Sequence, residues 1–250
     1  MKKGIAALTA IAVIVIFSAV KVLTPAAGTE DEIKPVSKFA KKIDLDRADN
    51  LMIVAHPDDE TIWGGDHLIE ENYLVVCITC GTNRVRDNEI RKALAISDDQ
   101  LIKLGYPDNP GMIINDWSNY KEDIIKDLEE IMLMHSYDKI VTHNPDGEYG
   151  HLQHILSNRM VTAVAKDHIL TDKLYYFAKY YKKGEMDLNV TTKYPIKHYD
   201  KKMYEMVKVY RSQISIVEKS FGHVLTSENW QKYTDFENKK KQSANQNVNF

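Results

Sequence analysis

The sequence has few of the features that define several common classes of protein. Only two of its 250 residues are cysteine, Cys77 and Cys80, and both fall in an apolar run that predicts a buried strand. Residues three apart on a strand point to opposite faces, which argues against a redox pair or a zinc knuckle. The formal net charge of −3 provides no basic field, so we expect no binding to nucleic acid. There is no Gly-x-Gly-x-x-Gly after the first predicted strand, which argues against a dinucleotide site.

The one long hydrophobic run lies at the N-terminus. Residues 5–20 are uncharged and mostly apolar, and they follow Lys2 and Lys3. A positive end before an apolar run is typical of export segments. The run is slightly long for a signal peptide and slightly short for a membrane span. We therefore expect residues 1–28 to be a signal peptide or an N-terminal membrane anchor, and the protein to be extracytoplasmic, either secreted or tethered to a membrane.

The rest of the chain alternates short apolar runs with amphipathic stretches. Residues 29–49 are predicted as a linker, 50–238 as one domain, and 239–250 as a polar, disordered tail. Hydrophobic periodicity predicts strands at residues 50–55, 74–79, 139–142 and 174–180, and helices at residues 61–71, 87–104, 116–134, 152–166 and 201–217. This alternation predicts an α/β fold with a mainly parallel sheet and helices on both faces.

Two of the predicted strands end in dense clusters of polar side chains. The first cluster is His56-Pro57-Asp58-Asp59-Glu60, and the second runs from His143 to His154. Ligands bind beyond the carboxyl ends of parallel strands, so we expect both clusters at one edge of the sheet. Either cluster alone is equally well explained as a turn whose Asp residues cap the next helix. Two clusters at two strand ends favour a functional site.

The residue types in these clusters suit a catalytic zinc ion, which typically has three His or carboxylate ligands and an open position for water. His56 and Asp59 can reach one ion from a single loop. His151 and His154 lie three apart at a helix start and share a face, so one can bind the metal while the other faces substrate. Asp58 lies between two candidate ligands and can take a proton from the activated water. The same ligands accept Fe(II), Co(II) or Mn(II).

The two clusters together resemble a known family. Ala55-His56-Pro57-Asp58-Asp59-Glu60, followed later by Gly147-Glu148-Tyr149-Gly150-His151-Leu152-Gln153-His154, resembles the LmbE-like (PIG-L) family of zinc-dependent N-acetylglucosamine deacetylases. The likeness runs from about residue 51 to residue 154. It implies a Rossmann-like fold, one catalytic Zn²⁺ ion, and an N-acetylated amino sugar or glycan as substrate.

The resemblance also implies a role for each of eight residues. The implied metal ligands are His56, Asp59 and His154. The implied catalytic residues are Asp58, as general base, and His151, which would stabilise the oxyanion. The implied substrate-binding residues are Tyr149, Arg86 and Asp108.

Two departures from the family pattern concern substrate contacts rather than the hydrolytic chemistry. The chain has Cys80-Gly81 after the second strand, where family members often have Asp-Gly. It has Tyr210-Arg211-Ser212-Gln213 where the family has His-x-Ser-Gln, so Tyr210 stands in the place of the histidine.

Two other functions remain as alternatives. A metal-dependent phosphoester hydrolase commonly uses two metal ions and more carboxylates, for which the nearby candidates are Glu60, Asp66 and Asp146. A surface carbohydrate-binding protein without activity would rely on exposed aromatic side chains, whereas Trp63, Trp117 and Trp230 do not cluster in the sequence.

Overall fold

Strands and helices alternate along the chain. A computed structural model describes residues 42–109, 115–183, 200–225 and 228–247, all of which belong to one compact unit of the chain. The strands are β1 (Asn50–Val54), β2 (Tyr73–Thr79), β3 (Gln100–Tyr106), β4 (Lys139–Thr142), β5 (Leu174–Tyr176) and β6 (Gln231–Lys232). The main helices are α1 (Asp59–Glu70), α2 (Arg84–Ser97), α3 (Lys121–Leu133), α4 (Leu152–Asp167), α5 (Asp200–Val209) and α6 (Tyr233–Asn247). Shorter helical segments cover Leu45–Arg47, Gly147–Gly150, Ile214–Ile216 and Val217–Phe221.

The six strands form one sheet in the order β3-β2-β1-β4-β5-β6. Strands β1 to β5 are parallel, and β6 pairs antiparallel with β5. Every residue of β1 and β2 is buried, which is typical of parallel strands covered on both faces. The predicted α/β, Rossmann-like fold with a mainly parallel sheet is confirmed.

Helices cover both faces of the sheet because the side chains of each strand alternate in direction. On one face, Leu51 and Ile53 of β1 join a core cluster with residues of α3 and α4. On the other face, Met52 and Val54 join a cluster with residues of α1, α2 and α5. The prediction of helices on both faces is therefore confirmed.

The pairing of β1 with β4 positions the two polar clusters. These strands are neighbours, with Ile53 opposite Thr142, and the Thr142 hydroxyl donates a hydrogen bond of 2.9 Å to the Ile53 carbonyl oxygen. Since the strands are parallel and in register, they end at the same edge of the sheet. The segments that begin at His56 and His143 therefore start side by side.

The predicted helix at residues 87–104 is wrong. The helix α2 ends at Ser97, because Asp98 adopts a left-handed conformation with φ of 68°. Residues 100–106 then form β3, which pairs with β2. The spacing of Leu94, Leu101 and Leu104 resembles the apolar stripe of a single helix. The turn at Asp98, however, separates α2 from β3, whose side chains alternate between the two faces of the sheet.

Three other predicted boundaries also change. The helix predicted from residue 116 begins at Lys121, because a turn precedes it in which the Tyr120 amide donates to the Trp117 carbonyl oxygen at 2.9 Å. The strand predicted to residue 180 ends at Tyr176. The helix predicted to residue 217 ends at Val209. The remaining predicted strands and helices are confirmed within a few residues.

Both segments expected to be irregular contain structure that packs on the domain. In the predicted linker, Ile43 and Leu45 are partly buried against the core and Ala48 is fully buried. The predicted disordered tail continues α6 as far as Asn247, because Tyr233 and Phe236 at the start of that helix pack against Tyr176.

The predicted export segment, residues 1–28, lies outside the described residues. Within the part of the chain that the structure describes, none of the helices has the length and apolar character needed to cross a membrane.

Candidate metal centre and active site

Three side chains from the two loops meet at the edge of the sheet. His56 Nδ1 lies 3.2 Å from Asp59 Oδ2 and 3.2 Å from His154 Nε2. His154 Nε2 lies 3.3 Å from Asp59 Oδ2. Ligand atoms about 2.0–2.2 Å from a tetrahedral metal ion are separated by about 3.3 Å. The triangle formed by His56, Asp59 and His154 therefore has the dimensions of three ligands of one metal ion.

Two other groups of donors overlap with this triangle. His56, His151 and His154 form one, and Asp59, His143 and His154 form the other; in each, the donor atoms lie within 4.8 Å of one another. His143 is engaged elsewhere, because its Nε2 accepts a hydrogen bond of 2.9 Å from the Ala55 amide. The triangle of His56, Asp59 and His154, with separations of 3.2–3.3 Å, therefore remains the candidate metal site.

The electrostatics of the triangle also fit a cation. The charge of His154 lowers the pKa of Asp59 well below its usual value, although burial opposes this shift. Burial lowers the pKa of His154, but the charge of Asp59 and hydrogen bonds to Asp59 and Glu148 raise it to about 9. The carboxylates thus favour positive charge at this point, and a bound divalent ion would provide it.

Glu148 contacts the candidate ligand His154 at the ring nitrogen that does not belong to the triangle. Its Oε2 lies 2.6 Å from His154 Nδ1 and 3.0 Å from His143 Nδ1, and its Oε1 accepts a hydrogen bond of 2.8 Å from the Asn144 amide. Burial raises the pKa of Glu148, but the charge of His143 and hydrogen bonds to both histidines lower it to about 2. A carboxylate behind a ligating imidazole fixes its tautomer and orientation.

Gln153 and Asp108 contact the candidate ligand His56 in the same way. The second ring nitrogen of His56, Nε2, lies 2.7 Å from Gln153 Oε1 and 3.3 Å from Asp108 Oδ1. The Gln153 amide nitrogen donates to the carbonyl oxygens of Pro107 and Asn115. Nδ1 of His56 therefore points into the triangle, while Nε2 contacts Gln153 and Asp108.

Asp58 lies beside the triangle without belonging to it. It precedes α1 with φ of 113°, a backbone conformation that non-glycine residues rarely adopt. Its Oδ2 lies 3.3 Å from Arg86 Nη2. Burial raises the pKa of Asp58 to about 7; the charge of Arg86 opposes this shift, and the charges of Asp59 and Glu60 add to it.

His151 and Tyr149 lie beside the triangle, with ring centroids 4.4 and 5.7 Å from that of His154. The Nδ1 atom of His151 is buried and has no hydrogen-bond partner among the described residues. Burial and the charges of His154 and His56 lower the pKa of His151 to about 3, so its imidazole is neutral at pH 7. The Tyr149 ring is 48% exposed, with its centroid 5.9 Å from that of His151.

Arg86 and Asp108 also lie at the site. Arg86 pairs with Asp58, and its Nη1 atom is buried without a hydrogen-bond partner in the described part of the chain. Asp108 contacts His56, and its Oδ2 accepts a hydrogen bond of 3.2 Å from the thiol of Cys80, the residue at which the chain departs from the family pattern. All eight residues singled out from the sequence thus converge on one site.

Several supporting residues were not assigned a role from the sequence. Glu148 and Gln153 lie inside the second motif, and their spacing from His154 is the only feature of the sequence that could have indicated a supporting role. Glu60 and Tyr210 are far apart in the chain, yet the Tyr210 hydroxyl donates a hydrogen bond to Glu60 Oε1. Contacts of this kind depend on tertiary structure, so no local pattern identifies them.

The fold and the site together define an α/β protein with a candidate metal centre at the carboxyl edge of a parallel sheet. Residues 51–165 match the family model described as PIG-L: GlcNAc-PI de-N-acetylase. The resemblance to the PIG-L, or LmbE-like, family found in the sequence is therefore confirmed over these residues. The family implies a deacetylase-type hydrolase acting on substrates that resemble N-acetylglucosamine, and its members are generally metal-dependent.

The chain is also similar to two individual proteins. It is 28% identical over 195 residues to the uncharacterized protein L374 of Acanthamoeba polyphaga mimivirus, over 71% of this chain and 77% of that protein. Among solved structures it is similar to GalB, the 4-carboxy-2-hydroxymuconate hydratase of Pseudomonas putida KT2440. That similarity has a TM-score of 0.46 and 16% identity, covers 80% of this chain and 89% of the other, and says nothing about function.

Proposed function

We propose that this protein is a zinc-dependent deacetylase that hydrolyses the acetamido group of an N-acetylglucosamine-type sugar or glycoconjugate. The observation that carries the proposal is the triangle of His56, Asp59 and His154, with separations of 3.2–3.3 Å, beside the carboxylate of Asp58 in a PIG-L domain. When bound by these three residues, a zinc ion supplies a Lewis acid that polarises the acyl oxygen and acidifies a water molecule.

In this proposal Asp58 moves the proton. Its carboxylate takes a proton from the attacking water while the water oxygen forms a bond to the acyl carbon. The proton then passes from Asp58 to the nitrogen as the carbon–nitrogen bond breaks, so that acetate and the free amino sugar are the products. A carboxyl pKa of about 7 supports both steps, because a group can accept and return a proton efficiently when its pKa is near the working pH.

His151 is the proposed stabiliser of the acyl oxygen. Its buried, unpartnered Nδ1 atom leaves hydrogen-bonding capacity within the site. A neutral imidazole carries one N–H donor, and a donor that is aimed in advance at developing negative charge is usually a large contribution to catalysis.

The surroundings of the site support a sugar-type substrate. The ring centroid of Tyr149 lies 5.4 Å from that of Phe221 and 6.1 Å from that of Tyr180, so aromatic side chains lie beside the triangle. The Asp108 carboxylate offers an acceptor for hydroxyl groups, and the Arg86 guanidinium, which lies 3.3 Å from Asp58 and 3.9 Å from Glu89, provides positive charge beside the site. We propose that Tyr149, Arg86 and Asp108 hold the sugar.

The structure gives less support to phosphoester hydrolysis with two metal ions. Of the extra carboxylates that this reaction would need, Glu60 already accepts hydrogen bonds from the Asp58 amide, Thr61 and Tyr210. Asp146 is largely exposed and pairs with Lys179 at 3.0 Å.

The experiment that tests the proposed function measures acetate release by the full-length protein from N-acetylglucosamine and its oligosaccharides and lipid-linked conjugates. Each substrate is assayed with chelator and with added zinc, beside the Asp58→Asn variant. Zinc-dependent release that the variant lacks is the expected result. No acetate from any substrate, with one zinc bound per chain, would overturn the proposal. Phosphate release with two metals per chain would favour the phosphoester alternative.

We further propose that the reaction takes place outside the cytoplasm, because Lys2, Lys3 and the apolar run at residues 5–20 are typical of an export segment. In intact cells that express the chain with a C-terminal tag, added protease should remove the tag or the tag should appear in the medium. A tag that stays protected until the cells are lysed would contradict this proposal.

A further inference from the structure

The backbone at Asp58 needs support from its surroundings. A non-glycine residue with φ of 113° has a strained backbone that persists only where neighbouring contacts fix it. Asp58 also begins α1, since its carbonyl oxygen accepts the amides of Thr61 and Ile62 at 3.1 and 2.9 Å. Its side chain does not cap that helix and is free to face the site. Other contacts must therefore hold Asp58 in place.

One set of contacts holds the Asp58 backbone. The Asp58 amide donates a hydrogen bond of 3.0 Å to Glu60 Oε2. The other carboxylate oxygen of Glu60 accepts hydrogen bonds from Thr61 Oγ1 at 2.7 Å and from the Tyr210 hydroxyl. Glu60 and Tyr210 are both buried. Tyr210 thus fixes the orientation of the carboxylate that receives the Asp58 amide.

A second set of contacts holds the Asp58 side chain. Arg86 Nη2 lies 3.3 Å from Asp58 Oδ2 and also donates to the Pro57 carbonyl oxygen. Glu89 lies 3.9 Å from Arg86 Nη1. Glu89 in turn accepts a hydrogen bond of 2.8 Å from the Ser212 amide and one of 2.6 Å from the Ser212 hydroxyl.

Both sets of contacts begin in the same short segment after α5. We propose that Tyr210 and Ser212 are positioning residues that together hold Asp58 in its productive orientation, Tyr210 through Glu60 and Ser212 through Glu89 and Arg86. This inference rests on the proposed function, in which Asp58 transfers the proton. It also gives a role to Tyr210, which stands where the family has a histidine, because the tyrosine hydroxyl is long enough to donate a hydrogen bond to the buried Glu60.

The test compares three variants of the full-length protein and one rescue variant, Ser212→Thr. Tyr210→Phe removes only the hydroxyl of the first set, and Ser212→Ala removes one donor of the second. Tyr204→Phe is the matched control, because Tyr204 lies on α5, is 54% exposed and contacts Lys208 rather than the site. For each variant we would measure kcat and KM for acetate release and the zinc content.

We expect Tyr210→Phe to lower kcat about tenfold, as is typical when a supporting hydrogen bond is lost behind a functional group. KM and zinc content should stay close to those of the wild type. Ser212→Ala should have a smaller effect of the same kind, since the Ser212 amide still donates to Glu89, and Ser212→Thr should restore kcat. An unchanged kcat in both variants would overturn the inference. So would a rise in KM at constant kcat, which would make these residues substrate contacts.

A second readout does not depend on activity. The Asp58 amide is bonded to Glu60, so its hydrogen exchange should become faster in Tyr210→Phe and stay the same in Tyr204→Phe. Unchanged exchange at Asp58 in Tyr210→Phe would overturn the inference even for an active enzyme. Faster exchange at Asp58 in a protein that releases no acetate would instead support the role of Tyr210 and show that the proposed function is wrong.

Discussion

The two loops that form the site are held in different ways. The loop after β1 is short, and Asp58 within it is held by Arg86 and, through Glu60, by Tyr210 from distant parts of the chain. The loop after β4 is longer and is held largely by its own residues, because Glu148 contacts both His143 and His154. A short loop that carries two of the three candidate ligands and the proposed base has no room for supporting residues of its own, whereas a longer loop does.

This difference leads us to expect that changes in the β4 loop affect metal binding and that changes at Asp58 affect turnover alone. The largest expected effect is that of His154→Ala, which removes a ligand that Glu148 orients at 2.6 Å. Activity should fall to background and bound zinc should be lost, as measured by metal analysis after gel filtration. His168→Ala is the matched control, because His168 pairs with Glu129 away from the site. Full zinc occupancy in His154→Ala would contradict the assignment of the ligands.

Asp58→Asn should show most clearly that the two loops differ in their effects on turnover and on metal binding. The change keeps the shape of the side chain but removes the proton acceptor, so kcat should fall by about 10²–10⁴-fold. Zinc content should remain that of the wild type, because Asp58 is not one of the ligands. Asp146→Asn, at an exposed carboxylate in the other loop, should retain activity. A near-normal rate in Asp58→Asn would show that another group transfers the proton.

Glu148→Gln should weaken metal binding rather than abolish it. The substitution preserves size, but it removes the charge that pairs with His143 and His154. Loss of such a partner typically costs about 10–100-fold in metal affinity. Competition with a chelator of known zinc affinity measures this change. Equal affinities for wild type and variant would mean that Glu148 has no role in holding the ligand.

The smallest expected effect concerns the backbone of the β4 loop, where Gly147 and Gly150 have φ of 64° and 93°. An added Cβ would lie 2.8 Å from Ile155 Cγ1 at Gly147, but would meet nothing within 4 Å at Gly150. Gly150→Ala should therefore lower the free energy of unfolding by about 1–2 kcal/mol, because of the backbone conformation alone. Gly147→Ala should lower it by about 1–3 kcal/mol more, because the added methyl group is crowded. Thermal unfolding of both variants measures the difference. A Gly150→Ala variant as unstable as Gly147→Ala would contradict this explanation.

The sequence predicts the sheet and the convergence of the site well, because strand burial and strand-end chemistry are local signals. It fails at β3, where the spacing of Leu94, Leu101 and Leu104 continues a helical pattern across the turn at Asp98. It also fails to identify the supporting contacts of Glu60 and Tyr210. These two residues are buried polar groups from distant segments, and only the packing of α5 against α1 and α2 brings them together.

The central claim is that one metal ion is bound by His56, Asp59 and His154. The most direct test is a crystal structure of the zinc-loaded protein with diffraction data recorded on both sides of the zinc absorption edge. We expect a single anomalous peak bonded to His56 Nδ1, Asp59 Oδ2 and His154 Nε2, with His151 free to face a substrate. A peak bonded to His151 in place of Asp59, or two peaks at the site, would contradict the account.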